Sequence, residues 1–412
     1  MTSAKVARIV VLPSDQPVRS DWGPDVEVVR SLGRACMRAQ ELGLSEVELN
    51  FTGEMRERPF TLNSPKNLVI RAAVGAQPTI VFHPDQDGSS QTQMIRMLGS
   101  SSGRVTITGL HLVLDLPDQS SGEWSLLWLQ QLQSLQMDNC VLTIREGSVS
   151  LGSTGPKAAF ISMAPRSFPE TMTTMMEDGM MMSSPSSVSL NGTIVRGEGV
   201  FLRLTEEMPA KITWRHGLFV SPQRLIDNDG AVKKPSDFDA IELDLDHVTA
   251  IMPQGLYRVK LRPGAPYQVK LDIQSNHSIL YTGLDSYLFD FVDLPLKDDV
   301  KLSMRGEENC YPRTNPRYLR LTTTKGESQV FDFENRKKWS VENRPRVGIA
   351  WKKPRTDDFF SESRPHQLGK PDFVLDPDAP NQAGFDPLKL PEIAPLVPRG
   401  SVEPMTIGAS TP

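Results

Sequence analysis

One pattern recurs along most of this chain and limits what it can fold into. An alternating strand runs to a polar residue at a tight bend. A second short apolar strand follows, then a Gly-containing turn, then a third strand. The pattern shows in RVTITGLHLVL (104–114), LQMDNCVLTI (135–144), KITWRHGLFV (211–220), AIELDLDHVTAI (240–251) and YQVKLDIQSNHSIL (267–280). Laid over one another, these segments put Leu190, Trp214, Leu245 and Ile273 in the same place, at separations of 24, 31 and 28 residues. A drifting period in this range marks a repeat architecture in which each unit buries its apolar stripe on its neighbours. The fixed Leu/Asn spacing of leucine-rich repeats and the Trp-Asp signature of propeller blades are both missing. Coils with three short strands and ragged turns fit an all-β, right-handed parallel β-helix, whose strands stack about 4.8 Å apart.

Composition agrees. The apolar share is 38%, which a thin inward stripe explains better than one compact globule. Three cysteines, Cys36, Cys140 and Cys310, exclude a disulfide framework. A net charge of −5 gives no reason to expect nucleic acid or an anionic membrane as partner. No apolar run approaches the ~18 residues of a membrane span, and MTSAKVARIVVLPSDQ lacks a signal-peptide cleavage site, so the expectation is a cytoplasmic protein.

Along the chain, residues 1–43 read as a strand (VARIVVL) and a capping helix over 24–43. Pro24 starts that helix, Val28, Leu32, Cys36 and Ala39 share a face, and Gly43 stops it. Such a helix would cover the free edge of the first coil. Coils fill 44–305, interrupted at 165–187 by a Met- and Ser-rich insertion that reads as disordered. A closing segment spans 306–360, and an extended Pro-rich arm with a disordered tail spans 361–412.

The run SEVELNFTGEMRERPFTLNSPKNLVIRAAVGAQPTIVF, with Leu68-Val69-Ile70-Arg71-Ala72 and Pro78-Thr79-Ile80, resembles the opening coils of bacterial pectin-lyase-like β-helix proteins. GRVTITGLHLVLD resembles the following coil, and the likeness covers about residues 6 to 305. The segment 306–391 looks like the end of β-helix regions in large multidomain bacterial proteins, some of which carry a Ser/Thr kinase domain. No kinase motif occurs here, so the likeness implies no kinase activity. The family includes polysaccharide lyases and glycosidases. Their Arg-based lyase segment is not matched by Arg344-Pro345-Arg346, and there is no Gly-His-Gly. Neither Asp298-Asp299 nor Asp357-Asp358 has the neighbours a glycosidase pair needs.

The expected function is therefore a non-enzymatic β-helix module for binding or scaffolding, with carbohydrate or another protein as partner and no cofactor. The alternative is a carbohydrate-active enzyme, a lyase or hydrolase, with Ca²⁺ as its cofactor. Its candidate catalytic residues are Glu242, Asp244 and Asp246, which alternate onto one strand face, and Asp272, one coil on. The bland reading of these acids is a solvated outer face. His216, His247 and His277 recur at the bend and would stack as a ladder about 5 Å apart, making them candidate metal ligands. The bland reading is a bend cap of the kind Asn139 and Asn276 would also supply. His83, His111 and His366 show no company. Arg336, Lys337, Lys338, Arg344, Arg346, Lys352, Lys353 and Arg355 around Trp339 and Trp351 read as a solvated basic face.

Overall fold

The computed structural model describes residues 6–84, 91–99, 103–116, 122–130, 132, 134–146, 157–165, 185–295, 300–312, 317–352, 360, 363–377, 383–393 and 395–396. Most of the Met-rich segment, Asp298-Asp299, Asp357-Asp358, Lys353 and Arg355 lie outside these residues.

The chain is mostly strand, arranged in a 20-stranded and a 10-stranded sheet. Among the described residues each strand has a parallel partner except Ser328–Asp332, which pairs antiparallel with Arg317–Thr323; that strand in turn lies parallel to Tyr287–Leu294. One unit shows the plan. Arg104–Thr108 runs to Gly109, His111–Asp115 continues in the larger sheet, and Glu123–Gln130 crosses to the smaller one. Parallel partners need long crossovers, and here the rest of each unit supplies them. The pairing runs on to Arg346–Val347, which lies beside Cys310–Tyr311.

Alternation does the sorting. In Ala210–Val220 the part before the bend alternates, with Ile212 and Trp214 buried and Lys211 and Arg215 exposed. Register then stacks like on like. One inward column is Leu68, Val105, Leu135, Val188, Ile212, Leu243, Ile273 and Met304. The next is Ile70, Ile107, Met137, Leu190, Trp214, Leu245, Ser275 and Gly306. The sequence overlay is therefore corrected at one place: Ser275, not Ile273, follows Leu245. The two residues point the same way two positions apart, so hydrophobicity alone favours the wrong one. Ser275 sits there because this end of the column is polar. Its Oγ donates to Asn309 Oδ1 (3.0 Å), and Asn309 Nδ2 donates back to the Ser275 carbonyl (2.7 Å) and to Glu342 (2.9 Å).

The helix is shorter than expected, Leu32–Leu42. Residues Val26–Val29 instead pair parallel with Arg8–Val11, because the VEVV run is β-branched and alternating. Ser31 caps the helix by accepting from the Arg34 N–H (3.2 Å), and Glu57 from a later strand accepts from Leu32 N–H. Gly43 ends it in the left-handed region (φ 69°), as the sequence suggests. Its buried face, Leu32, Ala35, Cys36 and Ala39, joins the main core.

After the bend the alternation stops, and segments such as Ile194–Gly197 are buried throughout. Their inward side chains, Leu142, Val195, Phe219 and Leu280, belong to the main core. Their outward ones, Val141, Ile194, Leu218, Val220, Ile251 and Tyr281, form a second cluster with Phe360, Leu368, Phe373, Phe385 and Leu390. A C-terminal strap thus covers the outer face of this part of the sheet, and a strand buried on both faces has no reason to alternate.

Trp214 is fully buried between Phe201 (4.8 Å between centroids) and Phe219 (6.4 Å). Trp214→Ala is expected to lower stability by about 3–5 kcal/mol, read from the denaturant midpoint of the far-UV signal. Trp214→Phe, which keeps most of the volume and removes an indole N–H that is buried without a partner, should cost less than half of that.

Candidate functional site

The bend that separates the first two strands of each unit is a column of residues in left-handed backbone. Gly109, Asn139, Gly192, His216, His247, His277, Glu308 and Arg344 follow one another with φ between 48° and 71°. The conformation lets the chain turn while its amides stay in the ladder: Asn139 N–H donates to Asn191 O (2.9 Å), and His277 N–H to Glu307 O (2.8 Å). Gly and Asn suit this region, while other side chains meet their own carbonyl there. Asn276 lies one residue before the column, paired with Asp246, and is no bend residue.

Three consecutive histidines occupy the column, and they stack. The ring centroids of His216 and His247 are 5.2 Å apart, and those of His247 and His277 are 4.9 Å apart and nearly parallel. Their partners differ. His216 Nε2 accepts from Lys389 Nζ (2.9 Å), and burial, with Lys389 next, pushes its pKa down. His247 Nδ1 lies 2.9 Å from Asp246 Oδ1. His277 Nδ1 lies 4.0 Å from the same oxygen, and its Nε2 lies 3.9 Å from Glu308.

The candidate acids share the outer face before the bend, with Glu242 in register with Asp272. Each has company. Glu242 lies 3.4 Å from Lys211, Asp272 lies 2.8 Å from Lys270, and Asp246 turns to His247. Asp244 stands between Thr213 and Gln274 on the neighbouring strands. The acids and the histidines meet at one residue, Asp246, which the alternation and the bend spacing place side by side.

The strap lies on this column. Gly384 N–H donates to His277 O (2.6 Å), Phe385 N–H to Thr249 Oγ1 (3.3 Å), and Lys389 reaches His216. A second pass, Pro365–Leu375, runs alongside and bridges to Trp351. Between the two passes and the bend column is a cleft of about 560 Å³, floored by His216, His247 and Thr249 and walled by Phe373, Asp376 and Phe385.

The three histidines without apparent company prove to converge, which corrects that reading. They meet where the strap crosses the outer sheet face, His366 from the strap and the other two from the sheet. Buried Asp115 takes two bonds from Arg145, the Nη2 one at 2.8 Å, and lies 2.9 Å from His83. Burial favours the protonated acid, but His83 and Arg145 outweigh it and hold Asp115 below the usual carboxylate range. His111 Nε2 lies 2.9 Å from Thr143 Oγ1, and Arg196 donates to the Leu368 carbonyl of the strap (3.0 Å). Burial, reinforced by Arg196 and Arg145, pushes His111 down to about 3. Burial and the same arginines push His366, carried on the strap, down to about 4. No regular spacing links His83, His111 and His366. His83 and His111 sit at opposite ends of two stacked strands, His111 in register with Thr79 and His83 beside Asp115, and His366 arrives from the far end of the chain. Of the described basic residues around Trp339 and Trp351, Arg336 lies over the Phe333 ring and Lys338 over Trp339, while Trp351 bridges to the strap at Leu375.

No protein-family model, curated protein or solved structure matches this chain.

His366 contributes a pH dependence to the docking of the strap, and its sign follows from burial. A free imidazole titrates near 6.5, and the docked one near 4. Between those values the released strap binds a proton that the docked strap refuses. The contribution of His366 to docking is therefore complete above about 6.5 and is lost as pH falls toward 4. Glu198, pushed up to about 7 by burial beside Glu146, has the opposite slope between about 4.5 and 7, so wild type must be compared with a variant. Hydrogen exchange of residues 363–377, corrected for intrinsic rates, should show protection falling by about tenfold more on acidification in wild type than in His366→Gln. Equal slopes in the two proteins would overturn the assignment.

Proposed function

We propose that this chain is a right-handed parallel β-helix, with the coil layout of the pectin-lyase-like proteins, that acts as a binding module without catalysing a reaction. The ligand surface is the outer face of the strands before the bend. There, three columns of polar side chains cross successive strands. The first is Lys211, Glu242, Asp272 and Ser303. The second is Thr213, Asp244, Gln274 and Arg305. The third is Arg215, Asp246, Asn276 and Glu307. Parallel strands set these groups about 4.8 Å apart in one direction. That is a regular array of donors and acceptors, suited to an extended, hydroxyl-rich polymer such as a polysaccharide.

One observation carries the non-catalytic reading. The carboxylates on this face are matched by cations on the same or the next strand, Lys211 with Glu242 and Lys270 with Asp272. Glycoside hydrolysis needs one carboxyl kept protonated and another ionised across a cleft, and a lysine beside Glu242 and another beside Asp272 work against the protonated member at those two positions. These exposed pairs add little stability, so their service is to solvate and orient the face.

Affinity electrophoresis in gels cast with uronate-containing or neutral polysaccharides is the test. Retardation by at least one of them is expected, and the double variant Asp244→Ala, Gln274→Ala should weaken it about tenfold or more while thermal unfolding changes little. No new reducing ends or unsaturated products should appear. Product release that disappears in Asp244→Ala or Asp246→Ala would replace this reading with a lyase or hydrolase.

A further inference from the structure

We propose that Asp246, His247 and His277 form a binding site for one divalent transition-metal ion of the zinc class. The three residues each offer one ligand atom, and these atoms all lie within 4.8 Å of one another. The common point is Asp246 Oδ1, 2.9 Å from His247 Nδ1 and 4.0 Å from His277 Nδ1. Ligand atoms around a tetrahedral zinc sit roughly 3.3 Å apart, as bond lengths near 2.0–2.1 Å require. The two distances bracket that value, so small ring rotations close the site. Two imidazoles and one carboxylate match the donor preference of zinc, cobalt and nickel, and not that of calcium.

Two further features point the same way. His277 Nδ1 is buried and has no hydrogen-bond partner, which is costly for a ring nitrogen unless something else engages it. Its other nitrogen lies 3.9 Å from Glu308, outside hydrogen-bond distance but close enough that a small side-chain rotation makes the carboxylate–histidine bond that fixes a metal-binding imidazole from behind. The bend also needs no histidine for its own sake. Gly109, Asn139 and Gly192 make the same turn in earlier coils, with a side chain that suits left-handed backbone or none. His216 stands outside the site, because its accepting nitrogen is taken by Lys389. His247 also floors the 560 Å³ cleft, so one ligand of the site borders open space.

The full chain, stripped with chelator and dialysed, should be titrated calorimetrically with Zn²⁺ and followed by visible absorption with Co²⁺. One ion per chain is expected, with cobalt bands of tetrahedral intensity. His247→Asn and His277→Asn should each abolish the saturable binding. Asparagine is the substitution of choice because Asn139 already occupies this bend. Glu308→Gln should weaken affinity 10- to 100-fold. His216→Asn should leave zinc affinity within about twofold, and far-UV circular dichroism should show every variant folded. The proposal is overturned by no saturable zinc binding in wild type, by binding that survives His247→Asn with His277→Asn, by loss in His216→Asn equal to loss in His277→Asn, or by binding of Ca²⁺ in preference to Zn²⁺.

Discussion

In-register parallel stacking is the constraint on which the rest depends. Each strand before the bend finds its hydrogen-bond partner in the next repeat, so a residue's position within its repeat decides what lies above and below it. Apolar side chains therefore stack on apolar ones and polar on polar, and a single choice at one position becomes a column. The bend makes this possible. It turns the chain by one left-handed residue while keeping the ladder amides paired, and it must do so at the same height in every repeat. A side chain placed there stands beside its equivalents at about the strand spacing, whatever its chemistry. Three imidazoles in succession, and then a carboxylate at Glu308 and a guanidinium at Arg344, follow from that geometry.

A stack of this kind has an outer face that is half finished. The strands before the bend are finished by solvent, with Lys, Asp and Gln pointing outward. The strands after it carry Leu218, Val220, Ile251 and Tyr281 outward, and these need cover. The C-terminal strap supplies it with Phe373, Phe385 and Leu390 where the sheet is apolar. Where the sheet carries Asp115, Arg145 and Arg196, the strap brings His366 and a backbone carbonyl. The strap is thus matched to the face in two chemistries. Arg145 and Asp115 meet each other, whereas Arg196 is met by the strap itself, through the Leu368 carbonyl and the charge of Asp372.

How much of this the sequence discloses depends on whether the information is local or periodic. The strands before the bend alternate, so their faces and the pairing of Glu242 with Asp272 can be read directly. The histidine column can be read because its members recur at nearly constant spacing. The helix start is misread because Val28 fits both periodicities, and only pairing with Arg8–Val11 decides for a strand. Ile273 is mistaken for the partner of Leu245 because two inward positions of one strand differ by a shift that preserves the pattern. The company of His83, His111 and His366 is illegible for a different reason. His366 reaches that cluster across more than 200 residues of chain, with no repeat to predict where it lands.

The continuous apolar runs after the bend are the signal that announces the strap. IVRG, HLVLD and VLTIR lack alternation, and a strand without alternation must be covered on both sides. Inside the stack, one side is covered by the core. Something else must cover the other, and few segments of this chain lack a place in the ladder. The Pro-rich segment beyond residue 360 is one, and its prolines suit an extended path that makes few ladder bonds of its own. Apart from the bridge of Leu375 to Trp351, its amides bond to the column it crosses, as Gly384 does to His277 and Phe385 to Thr249. The strap and the histidine column therefore meet for the same reason that each exists. The column is where the stack exposes backbone carbonyls at a turn, and the strap is an extended segment with donors to spend on them.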